Sequence, residues 1–364
     1  MPDPVSILRS EIEKSGPISF RHFMELALYC PKTGYYERSA EPVGRRGDFV
    51  TSVSMGPLFG QLLATQFALW SEEFSGPVQW VEAGAHDGRL ACDILGALRE
   101  RHAGLLERIT YVLIEPSDTR RGWQRSTLAP FTARTRWVTS LSELGTAAIS
   151  GVIFSNELLD SFPIHRLGWD AAAQRWYEWG VCLERNQFAW CRLGTDAKDW
   201  DQVLAGAGFD LPPELRAVLP DGHVIEVCPA AERWWTEAAG ALNRGRLVTI
   251  DYGLLARQII APERRKGTLR AYHRQSVSGD ILAMPGEQDL TAHVNFTQLM
   301  RAGESAGLKT ELYAPQSEFL VGASRHLWSE AAPPGPSEIR QFRALTHPEH
   351  LGRSFHVLAQ SRLP

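Results

Sequence analysis

The sequence predicts an α/β protein built on a mostly parallel sheet, and three observations carry that prediction. From Val78 to Leu159 short apolar runs alternate with stretches of helical periodicity. One run ends in an acid followed by a glycine turn, EAGAHDG at 82–88, where a strand hands over to a helix. The rhythm breaks near residue 164 and resumes near 230. Strand, helix, strand in close succession implies right-handed crossovers and a sheet covered on both faces.

Along the chain, residues 4 to 30 hold two helices: Val5, Leu8 and Ile12 recur at helical spacing up to Gly16, and Ser19 caps FRHFMELALY before Pro31 ends it. The segment 31–56 is rich in turn residues yet carries aromatics and charges, which marks an ordered functional loop. PLFGQLLATQFALWSEEF, with Pro57 near its start, is a long helix. VQWVEAG, TYVLIEPS, RWVTS and GVIFSNELL are parallel strands, with helices over GRLACDILGALRERH and DTRRGWQRSTLAPF. Between about 164 and 222, aromatic and polar residues alternate in IHRLGWD, QRWYEWGVCLER and QFAWCRLG, as in an inserted antiparallel meander. The helix AERWWTEAAGALNRG and strand RLVTIDYG resume the core, and NFTQLMRAGESAG and LKTELYA complete it after a break at 254–294. SFHVLAQSR reads as a last edge strand, and AAPPGPSE at 331–338 as a surface loop. In domain terms, 1–75 is a helical and loop segment covering the active site, and 76–364 is the core with insertions at about 164–222, 254–294 and 317–352.

Composition narrows the function classes. Apolar residues make up 44% and charged residues 22%, which excludes a disordered chain. A net charge of -4 offers no basic field for nucleic acid or an anionic membrane, so small ligands or a protein partner are expected. No apolar run approaches the ~20 residues of a membrane span. The first twenty residues have no apolar core and balanced charge, from which a cytoplasmic protein is expected. Five cysteines without a C-x-x-C pair indicate neither a disulfide framework nor a zinc site. His347 and His350 flank Pro348 without a third ligand, so no metal is expected.

The chemistry concentrates at strand ends. In WVEAGAHDGRLACDIL, Glu82 closes a strand, and Gly84 and Gly88 bracket a turn into a helix. Such a turn brings backbone N–H groups and the positive helix end up to a ligand. It is not G-x-G-x-x-G, so a dinucleotide cradle is not supported. Glu115 ends the next strand, where a carboxylate can accept from both hydroxyls of a ribose. Leu141 lies after the third strand, where an adenine would sit. Asn156 and Glu157 close the fourth, and two accounts of them stay open: a helix cap with a first-turn acid, or a carboxylate that orients a cationic acceptor. Asp48 lies in a polar loop cluster, Tyr252 at a strand end and His293 in DLTAHVNF; each has both a structural and a functional reading.

Nine ordered blocks make the resemblance specific: PKTGYY at 31–36, GDFVTS at 47–52, PLFGQLLA at 57–64, EAGAHDG at 82–88, NELLDSFPIH at 156–165, EVCP at 226–229, DYG at 251–253, GTLRAY at 267–272 and DLTAHVNF at 289–296. Through them the chain resembles the MidA-like family of class I S-adenosylmethionine-dependent methyltransferases. The resemblance implies a Rossmann-like, seven-stranded core and S-adenosylmethionine as cofactor. It implies a donor site at Glu82, Gly84, Gly88 and Glu115, to which the position of His86, Leu141 and Asp48 adds them. It implies an acceptor side that includes Asn156, Glu157, Tyr252 and His293, and a protein substrate methylated on a side-chain nitrogen, arginine first. Two features depart from the family: His86 stands where a glycine is usual, and VSMGP comes after GDFVTS. Two other functions are therefore compatible with the sequence: a docking protein with a degenerate cofactor site, and a small-molecule methyltransferase.

Overall fold

A computed structural model describes residues 3–38, 51–194, 199–273, 276–348, 351–352 and 354–363. The chain divides into two compact units. One, the sheet unit, comprises Ala40–Leu158, Trp234–Tyr252 and Ala302–Pro364; the other, the meander unit, comprises Met1–Ser39, Leu159–Arg233 and Gly253–Arg301.

The sheet unit is built on seven strands: β1 (Val78–Ala83), β2 (Ile109–Ile114), β3 (Thr135–Val138), β4 (Ile149–Asn156), β5 (Leu242–Leu254, its end passing into the other unit), β6 (Lys309–Pro315) and β7 (Phe355–Arg362). Their order is β6-β7-β5-β4-β1-β2-β3. β3, β2, β1, β4 and β5 run parallel, and β7 is antiparallel to both of its neighbours. Central strands buried on both faces read as near-continuous apolar runs, which is why VQWVEA and ITYVLI were legible as strands. The helices of the sheet unit include α1 (Leu58–Ser71), α2 (Arg89–Arg101), α3 (Asp118–Thr127), α4 (Gln316–Leu327) and α5 (Pro336–Thr346).

The core on one face gathers around Phe67 of α1, whose ring lies edge-on to Trp80 of β1 and Phe154 of β4 with centroids 5.6 and 5.1 Å away. All three are fully buried. Truncating any one to alanine costs about 3–5 kcal/mol in cores of this kind. The indole of Trp80 is satisfied by Ser71 Oγ at 3.1 Å, so the burial leaves no orphaned donor.

Residues 355–362 are not an edge strand: β7 lies between β5 and β6. Its polar positions suggested solvent, but Gln360 is fully buried, accepts from Trp235 Nε1 at 2.7 Å and donates to Thr310 Oγ1 at 2.8 Å. A buried amide with partners on both ends is compatible with the interior, and alternation alone does not reveal the partners.

The meander unit holds the first two helices, Pro4–Ser15 and Phe20–Tyr29. Asp3 caps the first by accepting from the Ser6 N–H at 2.8 Å, and Ser19 caps the second by accepting from the His22 N–H at 3.2 Å. Strands His165–Asp170, Arg175–Glu184 and Gln187–Arg192 form the antiparallel meander; Val224–Val227 pairs with the first of them and Ile18–Ser19 with the middle one. A three-stranded sheet occupies part of 270–291.

Candidate active site

β1 ends in Glu82 and Ala83, and the chain turns through Gly84 and Gly88, both left-handed, with φ of +76° and +83°. A Cβ on Gly84 would stand 2.8 Å from Leu158 Cδ1, so the glycine is favoured by its conformation and a side chain there would also displace Leu158. Gly88 forms the start of α2, whose first turn has no side-chain cap from it and presents N–H groups toward the turn. His86 adopts φ +46°, a region that disfavours any side chain with a Cβ. Its imidazole is held below the usual histidine range, chiefly by burial.

Glu82 is buried and accepts from the Tyr111 hydroxyl at 2.6 Å. Burial, the largest influence, pushes its carboxyl up to about 7; the Tyr111 hydrogen bond pulls the other way.

Glu115 ends β2 and is also buried. Its Oε1 accepts from the Ser117 N–H at 2.9 Å and from Arg120 Nε at 2.9 Å, and its Oε2 accepts from Gln124 Nε2 at 3.1 Å. Gln124 Nε2 also donates to the His86 carbonyl at 3.0 Å, while Gln124 Oε1 accepts from Trp137 Nε1 at 2.9 Å. One fully buried amide thus joins the glycine turn, the end of β2 and β3.

The fourth strand delivers the second half of the site. Asn156 ends β4, and Glu157 is left-handed, φ +50°, its N–H bonded to the Ile250 carbonyl at 2.9 Å. Glu157 Oε1 accepts from Asn156 Nδ2 at 3.1 Å and from the Ser52 N–H at 3.2 Å. Asp251, fully buried at the end of β5, accepts from the Leu158 N–H at 3.2 Å and the Tyr252 N–H at 2.8 Å. Strained backbone held from several sides is a frequent mark of functional turns. Asn156 Oδ1 is buried and has no partner among the described residues. A buried acceptor left open beside a carboxylate fits a ligand that brings its own N–H or O–H.

The helix-cap account of Asn156 and Glu157 does not hold. The chain enters only the short 3₁₀ turn Leu159–Ser161, which the left-handed Glu157 separates from the strand. Gly84 and Leu158 bring the glycine turn and the Asn156–Glu157 turn into one neighbourhood, with Glu82, His86 and Glu115 behind it. Leu141 is buried at the start of a 3₁₀ turn after β3. Tyr252 is half-buried, its ring centroid 3.9 Å from that of Phe355. His293 belongs to the meander unit, where its N–H donates to Thr268 Oγ1 at 3.1 Å and it lines a small cleft with Glu226, Cys228, Asn295 and Gln298. Asp48 lies outside the described residues. Reasoning from sequence missed Gln124, which bonds to both the glycine turn and Glu115; it sits in no motif, and a lone glutamine in a helix carries no signal.

The strand order with its reversed penultimate strand, the glycine turn after β1 and the acid after β2 define a class I methyltransferase. Residues 58–314 match the family described as "Putative S-adenosyl-L-methionine-dependent methyltransferase", and the chain belongs to that family. A crystal structure of a Burkholderia thailandensis protein bound to S-adenosyl-homocysteine is 31% identical, with a TM-score of 0.84, covering 99% of this chain and 92% of that one. The native crystal structure of a Burkholderia thailandensis protein of the same superfamily is 30% identical, with a TM-score of 0.82, covering 99% of this chain and 91% of that one. The protein arginine methyltransferase NDUFAF7, mitochondrial, of Rattus norvegicus is 27% identical over 97% of this chain and 83% of its own length. Its Drosophila melanogaster homolog, also named mitochondrial, is 26% identical over the same shares.

The cofactor is S-adenosylmethionine, and the residues present fit it: a left-handed glycine turn against Leu158 at the start of α2 and two buried glutamates at adjacent strand ends. The expectation of a cytoplasmic protein is overturned, since the curated relatives are named mitochondrial. Charge balance reports solubility and carries no compartment address. Among the described residues no helix is long and apolar enough to cross a membrane.

Proposed function

We propose that this methyltransferase delivers its methyl group to an arginine side-chain nitrogen of a protein substrate, with Glu157 orienting the guanidinium. The supporting observation is the Glu157 carboxylate itself: it sits on a strained turn beside Gly84, with Oε1 fixed by Asn156 and the Ser52 N–H. A guanidinium bonded to a fixed carboxylate has its plane set, and positioning of this sort accounts for much of the barrier in methyl transfer. The relatives named as protein arginine methyltransferases favour the same acceptor.

In this reading Glu82, Gly84, His86, Gly88, Glu115 and Leu141 hold the donor, whose sulfonium supplies the methyl group, while Asn156 and Glu157 hold the acceptor. Asp251 keeps the turn in place through the Leu158 N–H. Tyr252 is assigned to the acceptor side, and His293, which lines a cleft within the meander unit, keeps an acceptor role by family resemblance alone. The test is incubation of the purified protein with methyl-labelled donor and a lysate freed of small molecules. Label on arginine of one protein is expected; absence of label from protein, or label on another residue type, contradicts the reading.

A further inference from the structure

We infer that the α4–α5 hairpin is part of the acceptor site and that Gln316, at the first position of α4, is a positioning residue for Glu157. The inference rests on the proposed role of Glu157. The Ser52 N–H that holds Glu157 Oε1 belongs to a turn at 51–55, fastened by reciprocal bonds between Thr51 and Ser54: each N–H donates to the other's side-chain oxygen at 3.1 Å. The Ser52 hydroxyl points the other way and donates to Gln316 Oε1 at 3.1 Å. Gln316 Nε2 donates in turn to the Leu345 carbonyl, near the end of α5, at 3.1 Å. Ser52, Gln316 and Leu345 are all fully buried. An unbroken polar chain therefore runs from the candidate acceptor carboxylate to the two helices most distant from it in sequence.

A second glutamine of the hairpin secures the other end of the same segment. Gln341 Oε1 accepts from the Leu58 N–H at 3.1 Å. A Cβ on Gly56 would stand 2.4 Å from that oxygen, so Gly56 is what lets Gln341 approach. Segment 52–58 is thus held at Ser52 and at Leu58 by side chains of α4 and α5. In a buried setting each such bond is directional and costly to lose, so the Ser52 N–H has one place to point. Gln316 does not touch Glu157. It fixes the donor that does, and a shift of a fraction of an ångström in that donor turns the carboxylate plane that the acceptor would meet.

The experiment uses the full chain and the arginine acceptor found by labelling. Gln316→Met removes both bonds of the amide at nearly constant volume, and is expected to lower kcat about tenfold while acceptor KM and the affinity for S-adenosylhomocysteine stay within about twofold. In a Glu157→Asp background, whose shorter carboxylate cannot reach Ser52, the same substitution is expected to cost less than about twofold. Ser52→Ala, which deletes the hydroxyl and keeps the N–H, gives the same pattern at smaller size and serves if Gln316→Met does not fold. An equal loss in both backgrounds, or a fall in donor affinity that matches the fall in kcat, overturns the positioning role and leaves Glu157 standing. Unchanged turnover in Glu157→Asp alone overturns the assignment of Glu157 and this inference with it.

Discussion

Tyr111 donates its hydroxyl to Glu82 Oε2 over 2.6 Å, with both side chains sealed in the sheet unit. Burial still outweighs that bond and leaves the Glu82 carboxyl at about 7, against 4.5 for an ordinary glutamate. Between these two values the folded protein keeps a proton that the unfolded chain has released, so stability is fully present below the window and falls as pH rises through it. The span corresponds to roughly 3 kcal/mol. Denaturant titration of the wild type and of Glu82→Gln should therefore show the wild type losing stability relative to the variant by about that amount from pH 4 to pH 8. A constant difference across that range would mean that Glu82 is not held protonated.

Gln124 ties the His86 carbonyl to Glu115 and satisfies Trp137. Gln124→Leu leaves these buried groups without that partner, at an expected cost of about 1–3 kcal/mol. Because both donor loops share the amide, affinity for S-adenosylhomocysteine is expected to fall about tenfold as well. Thermal unfolding and calorimetry on the one variant separate the two effects; lost stability with intact affinity would reduce Gln124 to a core residue.

His86 holds a left-handed backbone that costs a residue with a Cβ about 1 kcal/mol or more. His86→Gly removes that strain, at the expense of glycine's greater freedom when unfolded and of the contact with Trp123, whose ring centroid is 6.1 Å away. The expected outcome is a stability change within about 1 kcal/mol and donor affinity equal to or above that of the wild type. A large loss of affinity would instead make the imidazole a direct contributor to binding.

Which parts of the fold and site could be read from the chain alone depends on where each signal lives. The parallel strands announced themselves because burial on both faces leaves little but apolar residues in VQWVEA and ITYVLI. Glu82, Gly84, Gly88 and Glu115 could be picked out because they stand where such strands end. β7 was misplaced because the partners of Gln360, Trp235 and Thr310, lie far from it in sequence. The same reason hid Gln316, whose partner Ser52 is remote in sequence, while Gln124 was hidden because a lone glutamine in a helix carries no signal even with Glu115 and Trp137 close by. Asn156 and Glu157 stood out as candidates in the sequence, but the left-handed conformation of Glu157 came only with the structure, since nothing in NELLDSFP requires a positive φ.

The central claim is that a sulfonium nucleoside is gripped at the ends of β1 and β2, and Glu115 is the place to test it. Glu115 also restrains Arg120 and Gln124, so Glu115→Gln, which keeps the shape and removes the charge, is the appropriate variant. Titration calorimetry with S-adenosylhomocysteine should show saturable binding to the wild type and binding at least about tenfold weaker to Glu115→Gln, with circular dichroism unchanged. No binding to the wild type, or equal affinity in the two proteins, would contradict the account.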